Sequence, residues 1–513
     1  MSTGYDIIII GSGAGGGTML HALAPTGARI LMLERGESVP QEPDNWNPEA
    51  VWKQRRYQAD ERWLDERGRE FLPLTHYNVG GNTKFWGSVL YRLRREDFQA
   101  HDLAEGTAPT WPIDYETLAP YYDQAERLYQ VHGALGDDPT EPPRGPYPHS
   151  PVPHAPGMSA LVGDLRRLGL HPSPLPLGLI RPGEPEGCVL CNTCNSFPCR
   201  IHAKSDAEVC CVEPAVTRDN VELWTGARAE RILTDPSGHR VEAVEVLRGA
   251  ERRLVSAPLV IVSCGAVNSA ALLLRSASSA HPRGLANGSG LVGRRYMAHL
   301  ATMMQGFHPL RRNTDVFQKT VGINDFYFRG PRTDHPLGQI QSQGRTHGVM
   351  AQTVVPWIPR WAYDWWVARG VDWLVMSEDL PSNDNRVTLD DRGRIQLHYQ
   401  PNNVQAHRQL VAEMKRIIRK LGFWLIVEHS HGNRNTTHQC GTLAFGVDPA
   451  SSVLDPWCRA HEVDNLYVVD ASFFPSSSAV NPALTIIAQA LRVADHIQRS
   501  KSATGEPKRL PVS

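Results

Sequence analysis

The chain has 513 residues, of which 41% are hydrophobic and 21% charged, a composition that belongs to a folded globular protein with room for more than one domain. Its formal net charge of -1, without a run of Lys and Arg interleaved with aromatic residues, argues against nucleic acid as a partner. No apolar run approaches the roughly 18 to 20 residues of a membrane span, no basic segment or cleavage site precedes Tyr5-Asp6, and an odd count of nine cysteines speaks against a secreted disulfide framework, so a cytoplasmic protein with reduced thiols is expected.

Tyr5 to Ile10 is a short apolar run. It leads into Gly11-Ser12-Gly13-Ala14-Gly15-Gly16-Gly17, a helical pattern through Met19, Leu20 and Leu23, and a second strand from Arg29 to Leu33 that ends in Glu34. Strand, glycine turn, helix, strand and acid in this order form a dinucleotide-binding fingerprint. The glycines permit a tight turn and close approach to a pyrophosphate, the helix N-terminus favours its charge, and the acid accepts from a ribose hydroxyl. NAD and FAD both fit it, and Gly11, Gly13, Ala14, Gly16, Glu34 and the adjacent Arg35 are the candidate contacts.

Val79 to Ser88 is a second glycine-rich loop, too polar for a core strand, and is either a plain turn or a ligand loop. From Gln99 to Gly178 the chain is rich in Pro and His, with Pro143, Pro146, Pro148, Pro151, Pro153 and Pro156 close together. An extended excursion is expected there, because proline resists both helix interiors and central strands. Cys188, Cys191, Cys194 and Cys199 follow. Their spacing meets neither an iron-sulfur nor a zinc template cleanly, disulfides and buried thiols remain open, and no metal site is expected.

Strands resume at Val221–Trp224 and at Arg228 to Leu233, which includes Ala229. A third, Leu259 to Ser263, runs into Cys264-Gly265-Ala266 and a further helix, a phosphate-side loop returning to the nucleotide domain. Between Met297 and Gly422 strand-like pieces alternate with Trp357, Trp361, Tyr363, Trp365, Trp366 and Trp373, flat faces suited to sugar rings or to core packing. Ala406 to Leu421 closes that region as an amphipathic helix. The last segment carries His438-Gln439-Cys440-Gly441-Thr442, a strand from Asn465 to Asp470, and Asn481-Pro482. Asn481 reads as the cap of a helix that opens at Pro482 and repeats Leu484, Ile487, Ala488 and Leu491 at helical spacing. His438 and Asn481 would flank one small site.

Taken together, the N-terminal fingerprint with Glu34, the Gly80-Gly81-Asn82 loop, Cys264-Gly265-Ala266, the His438-x-x-Gly441-Thr442 box and the Asp470 to Asn481-Pro482 box resemble the glucose-methanol-choline (GMC) oxidoreductases, which are FAD-dependent. The resemblance spans nearly the whole chain. It implies an α/β fold: a Rossmann-type FAD-binding domain assembled from residues 1–100, 200–296 and 430–513, and a substrate domain with a mostly antiparallel sheet from 101–199 and 297–429, with the Pro-rich excursion near 140–160. Further cofactor contacts implied by it are Gly81, Asn82, Phe85, Trp86, Ala229, Cys264, Gly265, Asp470, Ala471, Pro482 and Thr485.

The His/Asn pair is similar to that of the pyranose-oxidase branch and its bacterial glycoside 3-oxidase relatives, which implies His438 as base and Asn481 as its partner on the substrate oxygen. Fungal pyranose oxidases attach flavin through a histidine where this chain has Phe85, so non-covalent FAD is expected. The implied reaction is oxidation of a C3 or C2 hydroxyl of a glycoside or free pyranose, with O2 or a quinone as acceptor. A flavin and iron-sulfur glucose dehydrogenase subunit, or an oxidase of a non-sugar alcohol, is the alternative. A net charge near zero neither demands nor forbids self-association.

Overall fold

Runs of aliphatic residues that are buried on both faces suit the inner strands of a parallel sheet, and Ile7–Ile10, Ile30–Leu33 and Leu259–Val262 are buried over their full length. In the computed structural model, which describes residues 4–430, 432 and 436–503, these form a five-stranded sheet. Its spatial order is Val221–Trp224, Ile30–Leu33, Ile7–Ile10, Leu259–Val262 and Leu466–Val468, and every neighbour is parallel. The first strand lies in the middle, and the chain adds strands to one side and then to the other. Such a reversal opens a crevice at the carboxyl ends of the central strands, the usual ligand site of this architecture. The helices Ala14–Leu23 and Ala483–Ala503 pack against each other, with Leu484, Ile487 and Ala488 fully buried, as their spacing predicts.

A second, six-stranded antiparallel sheet runs Leu425–His429, Leu300–Phe307, Gly370–Ser377, Gln339–Ser342, Val321–Ile323 and Pro172–Pro174. The helix Val404–Lys420 lays Leu410, Met414, Ile417 and Ile418 against Trp373, Val375 and Ile340 of this sheet. The strands of the two sheets therefore come from different stretches of the chain. A smaller sheet mixes them, pairing Arg386–Leu389 and Ile395–His398 with Trp63–Leu64 and Glu70–Phe71.

The expected excursion is extended only in part. Tyr115–Leu128 is a helix capped by Asp114, whose side chain accepts from Thr117 N, and it carries Pro120 inside. Pro156–Arg167 is a second helix with proline at its start, where the missing N–H costs nothing. The longest irregular stretch there is 133–155, broken only by a single bridge at His149. Of the aromatic cluster, Trp373 is core, while Trp357 and Trp361 are 80% and 74% exposed. All nine cysteines are free thiols, and among the described residues no group of three or more His, Cys, Asp or Glu side chains converges. Among those residues, too, no helix is long and apolar enough to cross a membrane.

Candidate active site

A cavity of about 440 Å³ extends from the first glycine turn to Met303, Gln341 and Met376 on the antiparallel sheet. At its first end the glycines set the close approaches. A Cβ on Gly15 would lie 1.8 Å from Val469 O, and one on Gly16 would lie 1.9 Å from Gly11 O, so only glycine lets the helix Ala14–Leu23 pack this near. Gly13 precedes that helix without a side-chain cap, and no atom lies within 4 Å of where its Cβ would be. That leaves room for a ligand at free helix N–H groups, which favour an anion.

Glu34 accepts on Oε2 from Ser12 N and Oγ at 3.2 and 2.6 Å, and on Oε1 from Gly36 N at 2.9 Å. Burial raises its pKa and these donors oppose the rise. A carboxylate has about four acceptor positions, so one remains for a ribose hydroxyl. The Arg35 guanidinium lies over the Tyr77 ring at 3.7 Å and pairs with Glu61 at 3.2 Å.

The second glycine loop forms part of the cavity wall rather than a surface turn. Its Gly80 and Gly81 adopt left-handed φ of 84° and 55°, and Asn82 Oδ1 accepts from His76 N at 2.8 Å. Phe85 stacks on the His76 ring at 3.7 Å. Two buried lysines hold the loop from behind. Lys84 Nζ lies 3.1 Å from Asp206 Oδ2 and 2.6 Å from Glu208 Oε2. Lys204 Nζ donates to the carbonyl oxygens of Lys84, Trp86, Cys194 and Phe197 at 2.7–3.2 Å. Gly265 N donates to Asp470 Oδ2 at 3.0 Å while Ser472 N donates to Oδ1 at 2.8 Å, so one carboxylate joins the two loops that follow the central strands.

At the other end a short antiparallel bridge brings two imidazoles together. Met297 N donates to Cys440 O at 3.0 Å and Cys440 N to Met297 O at 2.9 Å. In antiparallel register, two positions after Met297 faces two positions before Cys440. These are His299 and His438, whose Nδ1 atoms lie 2.9 Å apart across 139 residues of sequence. His299 Nε2 lies 3.2 Å from Ser477 O.

A carbonyl only accepts, so His299 carries its proton on Nε2 and its Nδ1 is an acceptor. His438 must then donate from Nδ1, which leaves the lone pair on His438 Nε2. Burial, and then the nearby His299 and Lys319, hold the His438 pKa well below the ordinary histidine range, which keeps it in the neutral, proton-accepting form. Gln439 turns away and accepts on Oε1 from Val267 N at 2.8 Å, fixing the backbone next to His438. Asn481 does not cap its helix through Oδ1: that atom is buried with no hydrogen-bond partner among the described residues.

Gly11, Gly13, Ala14, Glu34, Arg35, Gly81, Asn82, Phe85, Trp86, Ala229, Cys264, Gly265, Asp470, Ala471 and Pro482 all line this one cavity with His438 and Asn481. Two of the residues expected there do not. Gly16 serves helix packing, as its distance to Gly11 O shows. Thr485 points to the far side of its helix, with Oγ1 2.7 Å from Tyr122 OH. Conversely, His299 and the lining residues Lys319, Asn195, Gln341 and Gln343 carry no motif, and nothing in their local sequence marks them.

A dinucleotide cleft that ends at an imidazole with a free lone pair defines an oxidoreductase of the nucleotide-dependent class. The chain belongs to the GMC oxidoreductases, whose N-terminal part matches residues 5–301 and whose C-terminal part matches residues 381–490. It is an FAD enzyme acting on CH–OH donors. It is 32% identical to 6'''-hydroxyparomomycin C oxidase of Streptomyces lividus over 97% of this chain and 93% of that one. To paromamine 6'-oxidase of Streptomyces fradiae it is 33% identical over 96% and 90%. The crystal structure of pyridoxine 4-oxidase from Mesorbium loti superposes with a TM-score of 0.68 at 20% identity, covering 96% of this chain and 99% of that one.

Proposed function

We propose that this enzyme oxidises a hydroxyl of a sugar or glycoside to the carbonyl, with FAD held without a covalent bond and O2 or a quinone as the final acceptor. The observation that carries the reading is the pairing of a neutral imidazole, its lone pair fixed on His438 Nε2, with the carboxamide of Asn481, whose Oδ1 is buried and unpartnered among the described residues, in the cavity that begins at the dinucleotide turn. His438 Nε2 takes the hydroxyl proton as the carbon–hydrogen electron pair departs as hydride and the C=O bond forms. Asn481 donates from its amide to the same oxygen and holds it at His438. Bound FAD supplies the hydride acceptor. The helix Ala483–Ala503 begins at the cavity, and its positive end favours negative charge developing there. Phe85 stands where a covalent histidine would be needed in the second glycine loop.

The resemblance to pyranose oxidases favours a secondary ring hydroxyl at C3 or C2. A second reading, a hydroxyl at a 6 position, is favoured by the names of the two Streptomyces relatives. The test is anaerobic addition of glucose and then of an aryl glucoside to the purified protein. Flavin bands that bleach, with NMR of the product locating the new carbonyl, are expected; bands that stay oxidised with every sugar would overturn the proposal.

His299 acts through His438 as a positioning residue. In His299→Phe the acceptor for His438 Nδ1–H is lost, and flavin reduction is expected to slow by about tenfold or more, a smaller loss than the roughly 100-fold or more that removing a positioned base itself brings. His299→Gln keeps an acceptor oxygen and is expected to recover part of the rate. Equal rates in the two variants would show that the hydrogen bond does not matter.

A further inference from the structure

We propose that Lys319 makes the alcohol end of the cavity selective by charge, admitting an uncharged or carboxylate-bearing polyol and rejecting one with a protonated amine. The inference rests on the functional reading above and narrows its substrate. Lys319 is 3% exposed and lines the cavity. Its Nζ donates to Asn195 Oδ1 at 2.8 Å and to Gln343 Oε1 at 3.3 Å, both neutral amides, and among the described residues no carboxylate pairs with it. An ammonium has three donors, so one N–H remains for a ligand.

The seat is built for it. A Cβ on Gly87 would lie 1.7 Å from Lys319 Nζ and 2.4 Å from Asn195 Oδ1. Glycine after Trp86 is therefore what lets the ammonium into the wall. Its charge reaches the base, since Lys319 is one of the groups that depress the His438 pKa.

Among the described residues the remaining wall offers a cation no carboxylate, only the neutral amide oxygens of Gln341 and Asn481. Gln341 Oε1 is buried and unpartnered among the described residues, and Met303, Leu374 and Met376 are apolar. Among the described residues the carboxylates lining the cavity are Glu34 and Asp470, both beside the dinucleotide turn and each already accepting from neighbouring donors. A protonated amine at the alcohol end would meet a like charge in poorly solvated surroundings, whereas a carboxylate would meet its complement. Burial lowers the Lys319 pKa to about 7, with Cys194 opposing and Lys204 adding to the fall, so the charge is fully present only in mildly acid solution.

The test is stopped-flow reduction of the bound flavin, near pH 6, by methyl glucoside, methyl glucuronide and methyl 6-amino-6-deoxyglucoside, which differ only at C6 and all keep the C2 and C3 hydroxyls. In the wild type the glucuronide is expected to exceed the 6-amino compound in kcat/KM by at least about tenfold, and in Lys319→Met the ratio is expected to collapse toward one. Gly87→Ala, which fills the seat while leaving the lysine in the chain, is expected to lower the ratio in the same direction. A 6-amino compound that reduces the flavin as fast as the glucuronide would overturn the proposal, as would a ratio that survives in Lys319→Met. Should no glycoside bleach the flavin, the functional reading falls, and the charge preference is read from the Kd of each compound in flavin difference spectra: the same order upholds it, and equal Kd values refute it.

Discussion

His438→Ala is expected to slow flavin reduction by an alcohol by about 100-fold or more, the contribution of a positioned general base. The variant leaves FAD binding in place, because the backbone at that point is held by Gln439 on Val267 N and by the Met297–Cys440 bridge rather than by the imidazole. The pH dependence is fixed by the same geometry. The His438 pKa lies well below the ordinary range through burial first, and then through His299 and Lys319. A base must be deprotonated to act, so activity is lost only as pH falls through that lowered pKa. Measured in Lys319→Met, to keep the titration of Lys319 out of the profile, the reduction rate is expected to stay flat from about pH 8 down to about pH 6. An inflection at the ordinary histidine value would show that the imidazole is solvated, and an undiminished rate in His438→Ala would remove it from the reaction.

Lys84→Met is expected to give the largest loss of stability. The ammonium sits between Asp206 and Glu208, and the side chains of all three are at most 6% exposed. Burial alone would pull the Lys84 pKa down, yet the two carboxylates outweigh it and raise it. Removing the one cation leaves two carboxylates in a poorly solvated interior. Breaking a buried pair in this way costs about 3 to 5 kcal/mol. Because Lys84 belongs to the second glycine loop, FAD content should fall together with the midpoint of chemical unfolding. Replacing the two carboxylates as well, with Leu and Met, is expected to return part of the loss, since an apolar substitute for the whole cluster is close to neutral. A single variant as stable as the wild type would mean that the cluster is hydrated.

The parts of the fold that the sequence states plainly are local ones. Gly11, Gly15 and Gly16 are where a tight turn and a close helix require them, and Ile7–Ile10 and Ile30–Leu33 are apolar because both faces of the sheet are covered. The pattern Leu484, Ile487, Ala488 fixes the buried side of the last helix. These signals survive in one dimension because backbone conformation and periodic burial depend on neighbours within a few residues. The order of the boxes extends that local information to the family and to FAD.

Between 99 and 178 the prolines misled only outside the cluster from Pro143 to Pro153, where the chain is irregular as expected. A single proline disfavours the interior of a helix, but Pro156 sits at a helix start and the helix holding Pro120 is stabilised by Tyr115, Leu118 and Tyr122 buried in the core.

What only the tertiary structure decided is which side chains meet. His299 faces His438 because two segments 139 residues apart share an antiparallel register. Lys319 reaches the cavity because Gly87, Asn195 and Gln343 leave it a seat, and Thr485 turns to Tyr122 instead of the cofactor. Each of these depends on how segments distant in sequence pack against one another, and packing is a property of the folded chain that no spacing along the sequence records.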